Sequence, residues 1–331
     1  MRLTELDNWI PYKLIKQDDQ IHCHWLNTYS NPFIEPFFDE TILKFKSARA
    51  YNSKYHPASD LEMMREWAKD LDEVEPAAFI FHISRCGSTL VSQLLTTADE
   101  NIVLAEVPFF DDILRLPYQG YNWGPAAING LLAAAIKYYG QDRITANGTF
   151  AGKKKRLFIK TDSWHLLFYK QLRQLYPLVP FVFIYRRPDE VLKSHSKVRG
   201  MQAVPGIIEP EVFGFKKEGE IFESLDIYLS KVLESYFKQC LEIIEKDKNF
   251  LLLNYNEGPI PMIEKIADFT HTELSLQDKA NMTERSLYHS KKPGEIFNEE
   301  AVDHIPPCLD EAIELYHKLE EKRTQFYLVK D

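Results

Sequence analysis

Between Phe81 and Leu95 the chain reads FHISRCGSTLVSQLL. A short apolar run ends in Arg85-Cys86-Gly87-Ser88-Thr89, after which Leu90, Leu94 and Leu95 recur at helical spacing. A basic, glycine-centred, hydroxyl-rich turn between a strand and a helix has the parts of an anion site. The helix start offers unpaired backbone N–H groups and the arginine adds charge. The turn is not a nucleotide-triphosphate P-loop. That motif requires G-x-x-x-x-G-K-[ST], whereas here Gly87 runs directly into Ser88 and Thr89 and the cation precedes the glycine. The same residues also fit an ordinary strand-to-helix turn with Ser88 as N-cap. A second basic element lies in FVFIYRRPDEVLKSH, residues 181–195. Arg186 closes an apolar run, Pro188 suits a first helical turn, and Ser194 follows Arg186 by eight positions. Together the two elements supply two phosphate-sized sites at the carboxyl edge of one sheet, where open α/β folds bind ligands.

The elements that must position these residues are visible from Pro76 onward. Strand-like runs AFIFHIS, NIVLA, LFIK, FVFIYR and FLLLNY alternate with helical segments, the pattern of β-α units feeding a parallel sheet. Residues 1–75 differ. They suggest a hairpin about QDDQ, a proline-punctuated stretch NPFIEPFFDE and a helix in SDLEMMREWAKDL. The expected fold class is therefore α/β: a parallel sheet flanked by helices over 76–331, preceded by a small α+β cap region over 1–75. The helical apolar stripe between Glu220 and Ile244 is expected to be core packing.

Bulk properties narrow the function. At 331 residues and 45% hydrophobic, the chain can hold one large α/β domain or two smaller ones. Net charge is −9 and the basic residues are scattered apart from KKKR at 153–156, which disfavours nucleic-acid binding. Cys23, Cys86, Cys240 and Cys308 form no C-x-x-C pair, so neither a zinc site nor a disulfide framework is expected. The two histidines of HCH at 22–24 are two ligands at most, and no metal is expected. With no charged-then-apolar leader and no apolar run near the ~20 residues that span a bilayer, a soluble, cytoplasmic protein is expected.

With both basic elements in view, the sequence resembles the sulfotransferases that use 3′-phosphoadenosine 5′-phosphosulfate and carry a P-loop-type sheet. RCGST at 85–89 is similar to the family's loop for the 5′-phosphosulfate, which implies roles for Arg85, Cys86, Gly87, Ser88 and Thr89. Arg186 and Ser194 match its 3′-phosphate element. AEVPFFDD at 105–112 is similar to the segment that holds the catalytic glutamate of glycan sulfotransferases and maps that role onto Glu106, although Ala105 replaces a lysine. FIKTDSW at 158–164 resembles the lysine-bearing strand end and brings in Lys160, with Asp162 where the cytosolic branch has its histidine base. FLLLNYNEGPIPMIEKIADF is similar to another family segment, and HSKKPGEIF at 289–297 resembles the C-terminal basic glycine loop, which would add Lys291 and Lys292 to the donor site. The resemblance covers about residues 76–300.

The chemistry implied is sulfuryl transfer to a hydroxyl or amine of a small-molecule or glycan acceptor. Positioning and electrostatics would do most of the work. Arg85 and Lys160 would offset charge on the leaving oxygen, and Glu106, or else Asp162 or His165, would take the acceptor's proton. Each candidate also has an ordinary structural role: Glu106 could pair with Arg85, Asp162 could cap the helix after it, and His165 could be a core histidine. A divergent nucleotide-dependent kinase and a non-catalytic phosphoadenosine-binding protein remain as alternatives. No motif identifies the acceptor.

Overall fold

The computed structural model describes residues 6, 8–17, 20–29, 31–47, 57–72, 75–141, 156–216, 222–288 and 305–328. The expected hairpin forms: β1 (Trp9–Gln17) and β2 (Gln20–Asn27) pair antiparallel, with Gln17 opposite Gln20. Alternate residues Ile10, Tyr12 and Leu14 on β1, and Ile21, Cys23 and Trp25 on β2, are buried, as a two-residue period requires of a sheet with one face inward. Helix α1 (Phe38–Ser47) follows, then the short β3 (Ala58–Asp60), which adds to β2, and α2 (Leu61–Trp67). Asp60 caps α2 by accepting the Met63 N–H at 2.6 Å.

From Pro76 the chain alternates as expected. The order is β4 (Pro76–His82), α3 (Ser88–Leu95), β5 (Asn101–Ala105), α4 (Pro108–Arg115), α5 (Pro125–Gly140), β6 (Arg156–Lys160) and α6 (Tyr169–Leu175). Then come β7 (Phe181–Tyr185), α7 (Pro188–Lys197), α8 (Leu225–Lys246), β8 (Phe250–Asn254), α9 (Pro259–Phe269), α10 (Leu276–Ser286) and α11 (Asp310–Leu328). All pairings in the five-stranded sheet are parallel and the order is β5-β6-β4-β7-β8. Helices cover both faces, so the strands are nearly continuous apolar runs: every residue of β7 and β8 is buried. The α8 stripe is core, with Leu229, Val232, Leu233, Tyr236, Phe237 and Cys240 all buried.

The cap and the sheet share one apolar core that runs from Ile10 to Leu319. Two tyrosines of α5 fasten it. Tyr138 donates to the Met64 carbonyl at 2.9 Å and stacks edge-on against Trp25, and Tyr139 donates to the Pro11 carbonyl at 2.5 Å. Among the described residues no helix is long and apolar enough to cross a membrane.

Strand register sets the site. Ala105 lies opposite Lys160, Ile80 opposite Lys160, His82 opposite Ile184, and Tyr185 opposite Asn254. The five strands therefore stop at nearly one level. Their next residues, Ile83 to Arg85, Glu106, Thr161 and Asp162, Arg186, and Tyr255, share the carboxyl edge. Central β4 is flanked by β6 and β7, and the chain leaves it toward β5 on one side before crossing to β7 on the other. This is the reversal point at which such sheets open a crevice.

Candidate active site

The loop after β4 is bent by its backbone. Ser84 (φ 68°), Arg85 (φ 52°) and Gly87 (φ 80°) are all left-handed. For a residue with a Cβ that conformation costs about 1–2 kcal/mol, so its neighbours must hold it. They do so at several points. Ser84 N–H donates to His82 Nδ1 at 3.0 Å, Cys86 Sγ donates to the Ile184 carbonyl at 3.2 Å, and Arg186 Nη1 reaches the Arg85 carbonyl at 3.4 Å. Cys86 is buried, and burial pushes its thiol up, so it acts here as packing and anchor. Such a curled turn at a helix start gathers backbone N–H groups into a concavity suited to an anion. Gly87 itself occupies the N-cap position of α3 and Ser88 is the first helical residue, which corrects the alternative in which Ser88 caps the helix. Glycine is required at 87 for a second reason: a Cβ there would lie 2.8 Å from Cδ2 of Tyr255.

Arg85 is half-buried and its Nη2 donates to the Val198 carbonyl, just past α7, at 2.5 Å. Burial draws its pKa down and the field of Glu106 opposes this. Arg186 is buried beside it. Its Nε donates to Glu190 Oε2 at 2.9 Å and its guanidinium lies 4.2 Å from the centre of the Tyr255 ring. Arg85 and Arg186 thus meet across β4 and β7. Ser194 is half-buried in α7, two turns beyond Arg186, and Thr89 is half-buried in the first turn of α3. Lys291 and Lys292 lie outside the described residues.

On the other side of β4, Glu106 follows β5 with φ 58°, and its N–H donates to the Lys160 carbonyl at 2.8 Å. Its carboxylate forms an ion pair with Lys160, which has no exposed surface, and lies 3.3 Å from His82 Nε2. Burial alone would push the Glu106 carboxyl up, but Lys160 and His82 outweigh it and hold it below the usual carboxylate range. The pairing of Glu106 with Arg85, the structural alternative, is thereby corrected: its partner is Lys160. The cap reaches the same point. The Phe37 ring lies 5.6 Å from Lys160 Nζ, and Asp39, in the first turn of α1, has its carboxyl pushed up by burial and by the field of Glu106.

Asp162 opens the short turn Ser163–Phe168 but its side chain does not cap it, so that alternative is also corrected. Burial, then the fields of Asp111 and Glu106, push its carboxyl well above the usual range. His165 Nε2 lies 3.0 Å from Asp111 and 3.7 Å from Asp162. Asp111 also accepts from Trp164 Nε1 at 2.6 Å and Arg115 Nη1 at 2.8 Å. Asp111, Asp162 and His165 bring potential ligand atoms within 4.8 Å of one another, and with Asp111 already bonded to Trp164, His165 and Arg115 the group ties α4 to the end of β6. Sequence reasoning did not single out His82, Phe37, Asp39 or the side chain of Tyr255. Only His82 had a signal: a polar residue ending an otherwise apolar strand.

No protein-family model and no curated protein matches the chain. Among solved structures it is similar to the sulfotransferase STF9 from Mycobacterium avium, at 11% identity over 67% of this chain and 71% of that one, with TM-score 0.45. It is similar also to the sulfotransferase domain of the Synechococcus olefin synthase, at 12% identity over 76% and 96% of the two chains, with TM-score 0.48. A third likeness is to retinol dehydratase in complex with androsterone and the inactive cofactor PAP, at 15% identity over 82% and 89%, with TM-score 0.32. All three are distant likenesses of chain path.

Proposed function

We propose that the protein is a sulfotransferase that moves a sulfuryl group from 3′-phosphoadenosine 5′-phosphosulfate to a hydroxyl or amine acceptor. One observation carries this: adjacent parallel strand ends bring two arginines, Arg85 and Arg186, beside an ion pair of the half-buried Glu106 with the fully buried Lys160. The residues suit a doubly anionic nucleotide. The curled loop 84–88 would take the 5′-phosphosulfate, and Arg186 with Ser194 the 3′-phosphate. In the reaction the acceptor oxygen bonds to sulfur, the sulfur–oxygen bond to the phosphate breaks, and the acceptor's proton passes to a base.

Glu106 is that base in the reading we favour. A carboxylate held below its usual range accepts protons poorly. Its partner is also the cation the donor needs, so a bound phosphosulfate competes for Lys160, offsets the charge that restrained Glu106, and restores its basicity. Asp162 is the second assignment, favoured by one observation: its raised carboxyl suits proton acceptance nearer neutral pH.

Calorimetric titration of 3′-phosphoadenosine 5′-phosphate and 5′-AMP against wild type and Arg186→Ala tests the reading. Wild type should prefer the 3′-phosphate nucleotide, and Arg186→Ala should lose about 1.5–3 kcal/mol of that affinity, roughly ten- to hundredfold, with 5′-AMP nearly unchanged. Equal weakening of both ligands would reduce Arg186 to a support for the Arg85 carbonyl and the Tyr255 ring, and a preference for ATP would remove the reading.

A further inference from the structure

His82 has no part in the chemistry above, yet it touches three of its elements. It is the last residue of β4 and is 3% exposed in a strand otherwise made of apolar side chains and proline. An imidazole at such a place is costly unless both nitrogens are satisfied. Both are. Nδ1 accepts the N–H of Ser84 at 3.0 Å, so the proton sits on Nε2. That Nε2–H points between the Thr161 carbonyl at 2.9 Å and Glu106 Oε1 at 3.3 Å. The first bond holds the left-handed residue that begins the anion loop, and the second reaches the end of β6. The third touches the carboxylate that Lys160 also grips.

We infer that His82 is a positioning residue that couples the anion loop to the Glu106 carboxylate, so that a single imidazole sets both the seat of the donor and the place of the base. The inference rests on the sulfotransferase reading for its meaning and on the imidazole geometry for its substance. When Lys160 turns to the donor, the Nε2–H of His82 is what keeps Glu106 aimed into the crevice. The coupling works only with a neutral ring, since a proton on Nδ1 would face the Ser84 N–H. Burial, then the nearby Lys160, draw the His82 pKa down, against the opposing pull of Glu106 and the Thr161 carbonyl, which favours that neutral form.

The two nitrogens can be tested separately. Nitrogen-15 imidazole spectra of wild type should show His82 as the Nε2–H tautomer, and Glu106→Gln should shift its Nε2 resonance. An Nδ1–H tautomer, or an Nε2 resonance indifferent to Glu106→Gln, overturns the inference whether or not the protein turns anything over. Titration with 3′-phosphoadenosine 5′-phosphate adds the functional arm. His82→Asn keeps an acceptor near Nδ1 and should hold affinity within about twofold, whereas His82→Gln keeps only a donor near Nε2 and should lose about tenfold, the scale of one hydrogen bond. Equal losses in two variants that melt like wild type would mean generic support of the strand end and also overturn the coupling. Wild type that fails to bind this nucleotide refutes the sulfotransferase reading instead, and the tautomer spectrum still decides the tie.

Discussion

Gly87→Ala gives a perturbation whose size can be worked from the structure before any ligand is known. The first cost is backbone: at φ 80° an alanine pays about 1–2 kcal/mol for its left-handed conformation. The second is contact. The new Cβ would sit 2.8 Å from Cδ2 and 3.0 Å from Cε2 of Tyr255, well inside the roughly 3.5–4.0 Å of carbon atoms at rest. Tyr255 cannot withdraw freely because its ring also carries the Arg186 guanidinium at 4.2 Å. Overpacking of this kind costs about 1–3 kcal/mol, for a total of about 2–5 kcal/mol. Urea unfolding of wild type, Gly87→Ala, Tyr255→Leu and the double variant separates the two costs. Tyr255→Leu opens the space, so the double variant should be more stable than the sum of the single losses by about 1–3 kcal/mol, while the backbone part survives. Strict additivity, or a Gly87→Ala protein within about 0.5 kcal/mol of wild type, the scatter of ordinary surface changes, would refute the close approach of ring and loop.

Glu106→Gln frees Lys160 for the donor, so it should bind donor at least as tightly as wild type while lowering turnover by about 10²–10⁴-fold in an acceptor screen with labelled donor, and the same loss of turnover in Asp162→Asn with Glu106→Gln active would move the base to Asp162. The same Glu106→Gln protein should be less stable than wild type by about 3 kcal/mol, because it strands the buried charge of Lys160, and adding Lys160→Met should recover part of that loss in urea unfolding. A pH test uses Asp112, which burial pushes up to about 6 while it accepts the Leu14 N–H at 3.3 Å. A carboxyl raised on folding stabilises the protein below its unfolded pKa of about 3.9 and loses that contribution as pH rises through the folded value, so the window is about pH 4–6. The shift of about two units is worth about 3 kcal/mol, so Asp112→Asn should be more stable than wild type by up to that amount at pH 7.5 and equal to it near pH 3.5. A gain independent of pH in thermal melts would show that ionisation is not its source.

The strands of the sheet were legible because buried parallel strands are written as short apolar runs, and Arg85 and Arg186 because each breaks such a run with a charge. The pairing of Glu106 was not legible. Chain order puts β5 straight after β4 and suggests a contact between Glu106 and Arg85, but β6 inserts between them and sets Lys160 against the end of β5. Strand order is decided by packing across the whole sheet, and no local pattern encodes it. Ser88 as N-cap, the alternative to an anion loop, fails for a local reason: the left-handed turn falls at Gly87, so the helix begins one residue earlier. Phe37 and Asp39 reach the crevice only through the docking of the cap on α5, a contact between residues far apart in the chain.

The strand ends that build the crevice also determine when in folding it can exist. Phe79 pairs with Phe181, and Phe181 in turn with Phe250, so no two neighbouring strands around Arg85, Arg186 and Tyr255 are joined by a short turn. Each pairing must close a long loop before its contacts offset the lost chain entropy, which makes assembly of such a sheet slow. No partial sheet contains the crevice. An anion that bridges the strand ends therefore recognises only the finished fold, and it shifts the folding equilibrium by mass action, by about 2.7 kcal/mol at a hundred times its Kd. Such an anion would thus lower the share of finished chains that reopen to a protease, while leaving chains still folding as exposed as before.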